Sequence, residues 1–406
     1  MNSGDTVFVL MSAALVMLMT PGLALFYGGM VRSKNVLGTV MQSFILLGVV
    51  SVLWVLWGYS MAFGPDIGGL VGSLDWFGLS GVGMEPNPDY GSTIPHLAFM
   101  IFQCMFAVIT PALITGAFAE RMNFGAFLIF TVLWVTFVYS PLAHWVWGAG
   151  GWIGGLGALD FAGGTVVHIS SAASALAASL FIGKRVGYGS RHFIPHNLPM
   201  TITGAALLWF GWFGFNAGSA LACNGLAAGA FVATHVSSAA AALSWTMVEW
   251  IHRGKPTTLG AASGAVAGLV AVTPAAGFVG PMSALAIGAA AGLLCYGGVM
   301  VKSALGYDDS LDVVGIHGVG GAWGALATGL FASTAVNPDG ADGLFFGNPG
   351  QLWLQFISII ATAAFAFLST LVILKAVDLL CGVRMNGDEE ERGMDITLHN
   401  EAGYNF

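Results

Sequence analysis

The sequence predicts an all-α, polytopic membrane protein with eleven transmembrane helices, and three observations carry that expectation. The 406 residues are 56% hydrophobic and only 8% charged, where a soluble domain carries about 25% charged residues. Eleven segments are apolar over the roughly 20 residues that a helix needs to span hydrocarbon. Eleven of the twelve lysines and arginines follow odd-numbered segments, and the twelfth, Lys375, lies at the end of segment eleven.

Segment one, 6–31, follows the polar start MNSGDT. It lacks a cationic n-region and is long enough to span, so it reads as a helix and not as a cleavable signal. Segments two to four are 36–63, 95–118 and 124–147. Segment five, 163–183, follows Asp160, a candidate N-cap. Segments six and seven are 197–217 and 224–251. Glu249 stands one turn before Arg253 and reads as half of a helix-end ion pair. Segments eight and nine are 258–276 and 281–301. Segment ten, 313–334, follows Asp312, a second candidate N-cap, and segment eleven is 350–380. The connections 64–94 and 335–349 are rich in Gly, Pro and Asp and read as turns and loops. The 59 glycines suit close helix packing. Cys104, Cys223, Cys295 and Cys381 have neither metal-ligand nor redox spacing and read as buried free thiols. The expected division is a transmembrane domain, 1–381, and a tail, 382–406. The tail is polar with three consecutive acids at 389–391, and by composition it reads as disordered and solvated.

Numbering the connections places Arg32, Lys34, Arg121, Lys184, Arg185, Arg191, Arg253, Lys255, Lys302, Lys375, Arg384 and Arg392 on one side. The other side holds only acids, among them Asp66, Asp89 and Asp160. The positive-inside tendency then puts the N-terminus outside and the C-terminus in the cytoplasm. The formal net charge of −8 says little about partners.

Segments five and ten resemble each other. HISSAASALAASLF (168–181) pairs with HGVGGAWGALATGLF (317–331), and the two run in opposite directions. Two five-helix halves with an odd number of spans are inverted relative to each other, and such repeats mark transport proteins with a midplane site. His168 lies about 12 Å past Asp160 and His317 about 8 Å past Asp312, at 1.5 Å per residue. Both fall near the middle of a core about 30 Å thick. A titratable ring at that depth is costly and is a functional candidate. Burial disfavours a charged ring, and a neutral pair offers one donor and one acceptor per ring. Such a pair lines a path for a small polar molecule or passes a proton. His144 and His235 read as packed, hydrogen-bonded interface histidines.

Aromatics form a second theme. Phe102, Phe106, Trp147, Trp212 and Phe215 lie in segments three, four and six, and Ser219 follows segment six. Rings near helix ends are usually belt or packing residues. The alternative is a trap for an ammonium-like ion, held by ring faces at about 0.5–2 kcal/mol with the Ser219 hydroxyl as acceptor. The spans carry no ring of acids, which argues against a metal-cation channel.

These residues resemble the ammonium transporter (Amt/Mep/Rh) family along essentially the whole chain, nearest to its bacterial and archaeal members. The resemblance rests on PGLALFYGGMVRSKN (21–35), GAFAER (116–121), GALDFAGGTVVH (157–168), IGKR (182–185), PHNLP (195–199), WFGWFGFNAGSA (209–220), GAVAGLVAVTPAAGFV (264–279) and DVVGIHGVGG (312–321). It implies a homotrimer in the cytoplasmic membrane, each subunit with its own pore, and no enzyme activity, metal or cofactor. The substrate it implies is ammonium or ammonia, with methylammonium as analogue. Trp147, Phe106 and Ser219 match an outer recruitment site. Phe106 and Phe215 match a phenyl gate, and His168 and His317 a twin-histidine pore. Phe102 and Trp212 match further pore aromatics, Thr273 a residue of the inner half-pore, and Asp160 a structural acid that assists recruitment. In the tail, Gly393, Asp395, His399, Glu401 and Tyr404 match a regulatory spacing that supports docking of a PII signal protein, which implies an ordered or conditionally ordered tail. Two transport-like alternatives share the fold, an ammonium sensor and a gas channel for ammonia or carbon dioxide. Outside the family, a membrane haem protein would use both histidines as axial ligands.

Overall fold

The structure, a computed structural model, describes residues 1–405. It is an all-α polytopic bundle with a single two-stranded ribbon, Asp66–Ile67 with Val71–Gly72. Each expected segment is helical. The elements are α1 (Ser3–Met30), α2 (Ser33–Phe63), α3 (His96–Phe118), α4 (Phe124–Gly155), α5 (Gly164–Ile182), α6 (Leu198–Gly218), α7 (Gly225–Arg253), α8 (Thr258–Val272), α9 (Pro281–Leu305), α10 (Val314–Gly318 continued by Val319–Phe331) and α11 (Pro349–Cys381). Nine of them, all but α8 and α10, are long and apolar enough to cross a membrane. Large apolar side chains such as Leu243, Met247, Ile251, Leu368 and Val372 face outward, a surface that suits hydrocarbon and not water.

The helices pack in a repeating pattern. α1 packs along α6, α1 on α3 as α6 on α8, and α3 on α5 as α8 on α10. Small residues set the α1–α6 approach. A Cβ at Gly204 would meet the backbone of Phe26 and Gly22, and one at Gly29 would meet Thr201, so only glycine lets these helices come so close. α11 lies against α5 and α10.

The cation-bearing face is locked by charge. Glu120, fully buried and held at φ +73°, pairs with Arg32 at 2.9 Å and Arg185 at 3.1 Å. Arg185 also pairs with Asp308 at 2.8 Å. Burial pushes both carboxyls up, but the arginines hold them below the ordinary range. Arg121 donates to the carbonyls of Ala117, Ala119, Gly183 and Asp308. One cluster thereby joins the connections after α1, α3, α5 and α9.

The tail is folded onto this cluster. A short helix, α12 (Gly387–Arg392), opens on a capping box between Asn386 and Glu389. Glu390, 1% exposed, accepts from Val186 N at 2.5 Å and Arg384 at 2.9 Å. Asp395 accepts from Gly38 N at 2.9 Å, at the start of α2. The Tyr404 hydroxyl meets His196 at 2.8 Å. Gly393 takes φ +102°, and a Cβ there would strike Lys34. The solvated tail expected from composition is therefore corrected, because its acids find fixed partners.

Other expectations are corrected as well. α8 stops at Val272, four residues early, because Pro274 has no N–H to continue it. Glu249 does not pair with Arg253; it accepts from Thr257 N and Oγ1, which begin α8. His235 is exposed on α7 against the rings of Trp209 and Phe213, not buried at an interface. Cys223 and Cys381 are exposed, while Cys104 and Cys295 are buried. His144 is as expected: it is buried between Ala62 O at 3.0 Å and Asp66 Oδ1 at 2.8 Å. That bond holds the Asp66 carboxyl below its usual range.

Candidate conduction site

Two helix starts position the histidines, and both are built alike. Each histidine lies in a wide π turn, Gly164–Ile169 or Val314–Gly318, followed by a 13-residue α-helix. Asp160 anchors the first turn. Its carboxylate accepts from the N–H groups of Gly163 at 2.8 Å, Gly164 at 2.6 Å and Thr165 at 2.8 Å, and from the Thr165 hydroxyl. Burial raises this carboxyl and the four donors pull it back. Asp309, not Asp312, anchors the second turn by accepting from Val314 N at 2.8 Å. Asp312 adopts φ +63° and turns to pair with Lys302. The sequence held the signal: Asp309 precedes His317 by the same eight residues that separate Asp160 from His168.

The two rings meet. His168 Nδ1 and His317 Nδ1 lie 3.2 Å apart, so one donates and the other accepts, and the two rings hold different tautomers. The rings are 1% and 4% exposed. Trp212 stacks on His168 with centroids 5.5 Å apart and donates its Nε1–H to Thr273 Oγ1 at 2.9 Å. Thr273 sits where α8 ends, next to Pro274, whose carbonyl accepts from Phe161 N. It is therefore on the Phe161 side of Trp212, which corrects its expected place in the inner half-pore.

Phe106 and Phe215 stack with centroids 4.1 Å apart and planes at 26°. Phe102 abuts Phe106 at 4.9 Å, edge to face. The stack separates two cavities. On the face opposite the cations is an open vestibule of about 300 Å³ lined by Phe106, Trp147, Phe161, Ser219 and Gln103, among others. Beyond the stack is a chamber of about 10 Å³ lined by Phe215, Trp212, His168 and His317 with apolar side chains of α1, α3 and α8. Trp147 stands across Phe106 at 5.9 Å and 88°, fixed by an Nε1–H bond to Asp160 O at 2.9 Å. Asp160 thus places both the histidine turn and the vestibule indole without facing the vestibule itself.

This arrangement has a stated chemistry. The vestibule offers ring faces and hydroxyl lone pairs to a cation. The chamber offers nitrogen lone pairs and apolar walls, where a bare ion is costly. The two histidines contact each other directly through Nδ1, 3.2 Å apart, an arrangement that differs from two axial ligands facing each other across a haem iron. Gln103, whose carboxamide oxygen has no partner, was not legible in the sequence, since a lone glutamine between Phe102 and Phe106 matches no motif.

Comparison with known proteins shows the family and the fold. The model of the Ammonium Transporter Family matches residues 7–404. The chain is 57% identical to an ammonium transporter of Bacillus subtilis (strain 168), over all of this chain and 99% of that protein. Its fold is similar to the crystal structure of Mep2 from Saccharomyces cerevisiae, with TM-score 0.90 and 35% identity over 96% of this chain and 89% of the other. It is also similar to a solved structure titled Sensor Amt Protein, with TM-score 0.90 and 29% identity over 98% of each chain.

Proposed function

The chain belongs to the ammonium transporter family, and on that premise we propose that it strips ammonium of its proton and conducts ammonia past the paired histidines. Trp147, Phe106 and Ser219 hold the ion at the vestibule. The proton passes to water in the open vestibule, from which it returns outside or crosses along the histidine pair, and its loss removes most of the cost of entering an apolar chamber. Phe106 and Phe215 part to admit the neutral molecule, which then moves along His168 and His317 beside Trp212, while Phe102 backs the gate and Thr273 holds the Trp212 indole from the Phe161 side. The observation that carries this reading is the 3.2 Å histidine contact sealed beneath a phenyl stack. By charge, the vestibule faces outside and the tail the cytoplasm of a cytoplasmic membrane. On this reading the protein is a homotrimer of eleven-helix subunits. The tail, with Gly393, Asp395, His399, Glu401 and Tyr404, is the dock for a PII signal protein.

The test is ammonium uptake in proteoliposomes with simultaneous recording of charge, with and without a proton gradient. His168→Ala and His317→Ala should change the conducted species or abolish exclusion of potassium. Unchanged flux and unchanged exclusion in both variants would end the proposal. The likeness to the Sensor Amt Protein supports a second reading, an ammonium sensor. It is distinguished by ammonium binding with little flux.

A further inference from the structure

α11 crosses the seam between α5 and α10 and is held to it at two places. At one, Ile359 packs on Ile169 and Ala325. At the other, the Thr370 hydroxyl donates to Ser174 Oγ at 2.9 Å. The two contacts are about 16 Å apart along the helix, at 1.5 Å per residue. Between them α11 contributes Ala363 and Ala364, and the seam answers with Ala172, Ala173 and Gly318. These side chains are too small to fill the space, and a groove of about 490 Å³ remains. Every side chain lining it is apolar, and it shares no lining residue with the histidine chamber. Ile169 and Gly318 both line it, and they follow His168 and His317 as the last residues of the two π turns. The groove therefore lies against the backs of both turns.

We propose that this groove holds an acyl chain of a membrane phospholipid, and that the chain braces the two histidine turns. The occupant follows from where the groove opens. Leu368 lines it and is 61% exposed, part of the same outward apolar surface as Ile360 and Val372, so the groove continues the face that meets lipid. It lies at mid-length of α5 and α11, a depth with no water to fill it and no partner for a polar headgroup. Lipid tails are as apolar as the groove, so the hydrophobic effect does not favour entry. Dispersion does, because an empty groove leaves its walls without partner atoms. A chain seated there limits how far α5 and α10 can shift, and with them the 3.2 Å contact of His168 and His317. The effect on flux rests on the conduction reading above; occupancy of the groove does not.

The test uses the full chain in phosphatidylcholine vesicles doped with a phosphatidylcholine that carries a diazirine midway along one chain. After photolysis and digestion, mass spectrometry should find adducts at 169–176 and 363–368 severalfold denser than at Phe137 and Val372, which are also exposed. Ala173→Leu combined with Ala363→Leu fills the groove and should remove those adducts while leaving the ones at Phe137 and Val372. Adducts no denser in the groove than at the two comparison residues overturn the inference, and so does labelling that survives filling. A groove free of label, as a second copy of the chain seated there would leave it, overturns it too. If the filled variant does not fold, the adduct map of the parent decides alone. For the bracing role, ammonium uptake is compared in fluid vesicles of saturated and of monounsaturated chains matched for thickness. Parent uptake should differ at least about 2-fold between them, the low end of coupling between packed sites, and uptake by the filled variant should not differ. Parent uptake that ignores the chain overturns the bracing role. Absence of uptake in every vesicle, with labelling as expected, ends the conduction reading and leaves the lipid site standing.

Discussion

At Asp309, burial works against capping. The side chain is fully buried, with one oxygen on Val314 N and the other unpartnered. Burial pushes the carboxyl up to about 6, with Lys302 opposing and Asp312 adding. A carboxyl whose folded value lies above its unfolded value stabilises the fold at low pH, and that contribution is lost as pH rises from about 4 to about 6. Its size is at most about 3 kcal/mol, at about 1.4 kcal/mol per unit. Asp309→Asn keeps an acceptor and removes the titration. Its thermal midpoint should fall less than the parent's between about pH 4 and about pH 6, and equal falls would refute this account. The same residue marks the limit of sequence reading. Proximity favoured Asp312, and only the eight-residue spacing shared with Asp160 points to Asp309. The histidines and Phe106, Phe215 and Trp147 were legible because charge, ring type and motif mark them. Gln103 and the depth of Thr273 depend on which helices meet.

Among the elements, the wide turns under the histidines were not legible, since a π turn differs from an α turn by one residue and leaves no mark in composition. The long apolar helices were legible, because hydrocarbon demands them. The tail was half legible: its acids suggested solvation, and only the partners, Val186 N, Arg384 and Gly38 N, explain why it folds. Glu390 is the keystone of that contact. Glu390→Ala removes a buried charged acceptor whose bonds contribute about 1.5–3 kcal/mol each. The expected result is faster tryptic cleavage after Arg392, with the helical circular dichroism of the membrane bundle unchanged. A cleavage rate equal to the parent's would show that the tail is held elsewhere. Deleting 385–406 should spare flux and weaken capture of a PII protein in a pull-down, and equal capture would refute the docking proposal.

At the scale of the whole molecule, the charge segregation proposes an orientation, and the protein carries its own reporters. Cys223 is exposed near the vestibule and Cys381 is exposed at the end of α11. In intact cells stripped of their outer barriers, a membrane-impermeant maleimide should label Cys223 and spare Cys381, with Cys381 reacting only after lysis. The reverse pattern would invert the topology. The chamber beyond the phenyl stack has a kinetic consequence. Its walls are apolar apart from the two histidines and the Trp212 indole, so a solute inside has few partners to hold it and a bare ion there is costly. Residence in the chamber is therefore brief, and the flux should keep rising in proportion to ammonia until the vestibule step saturates; saturation that follows substitution of His317 and not of Trp147 would refute this.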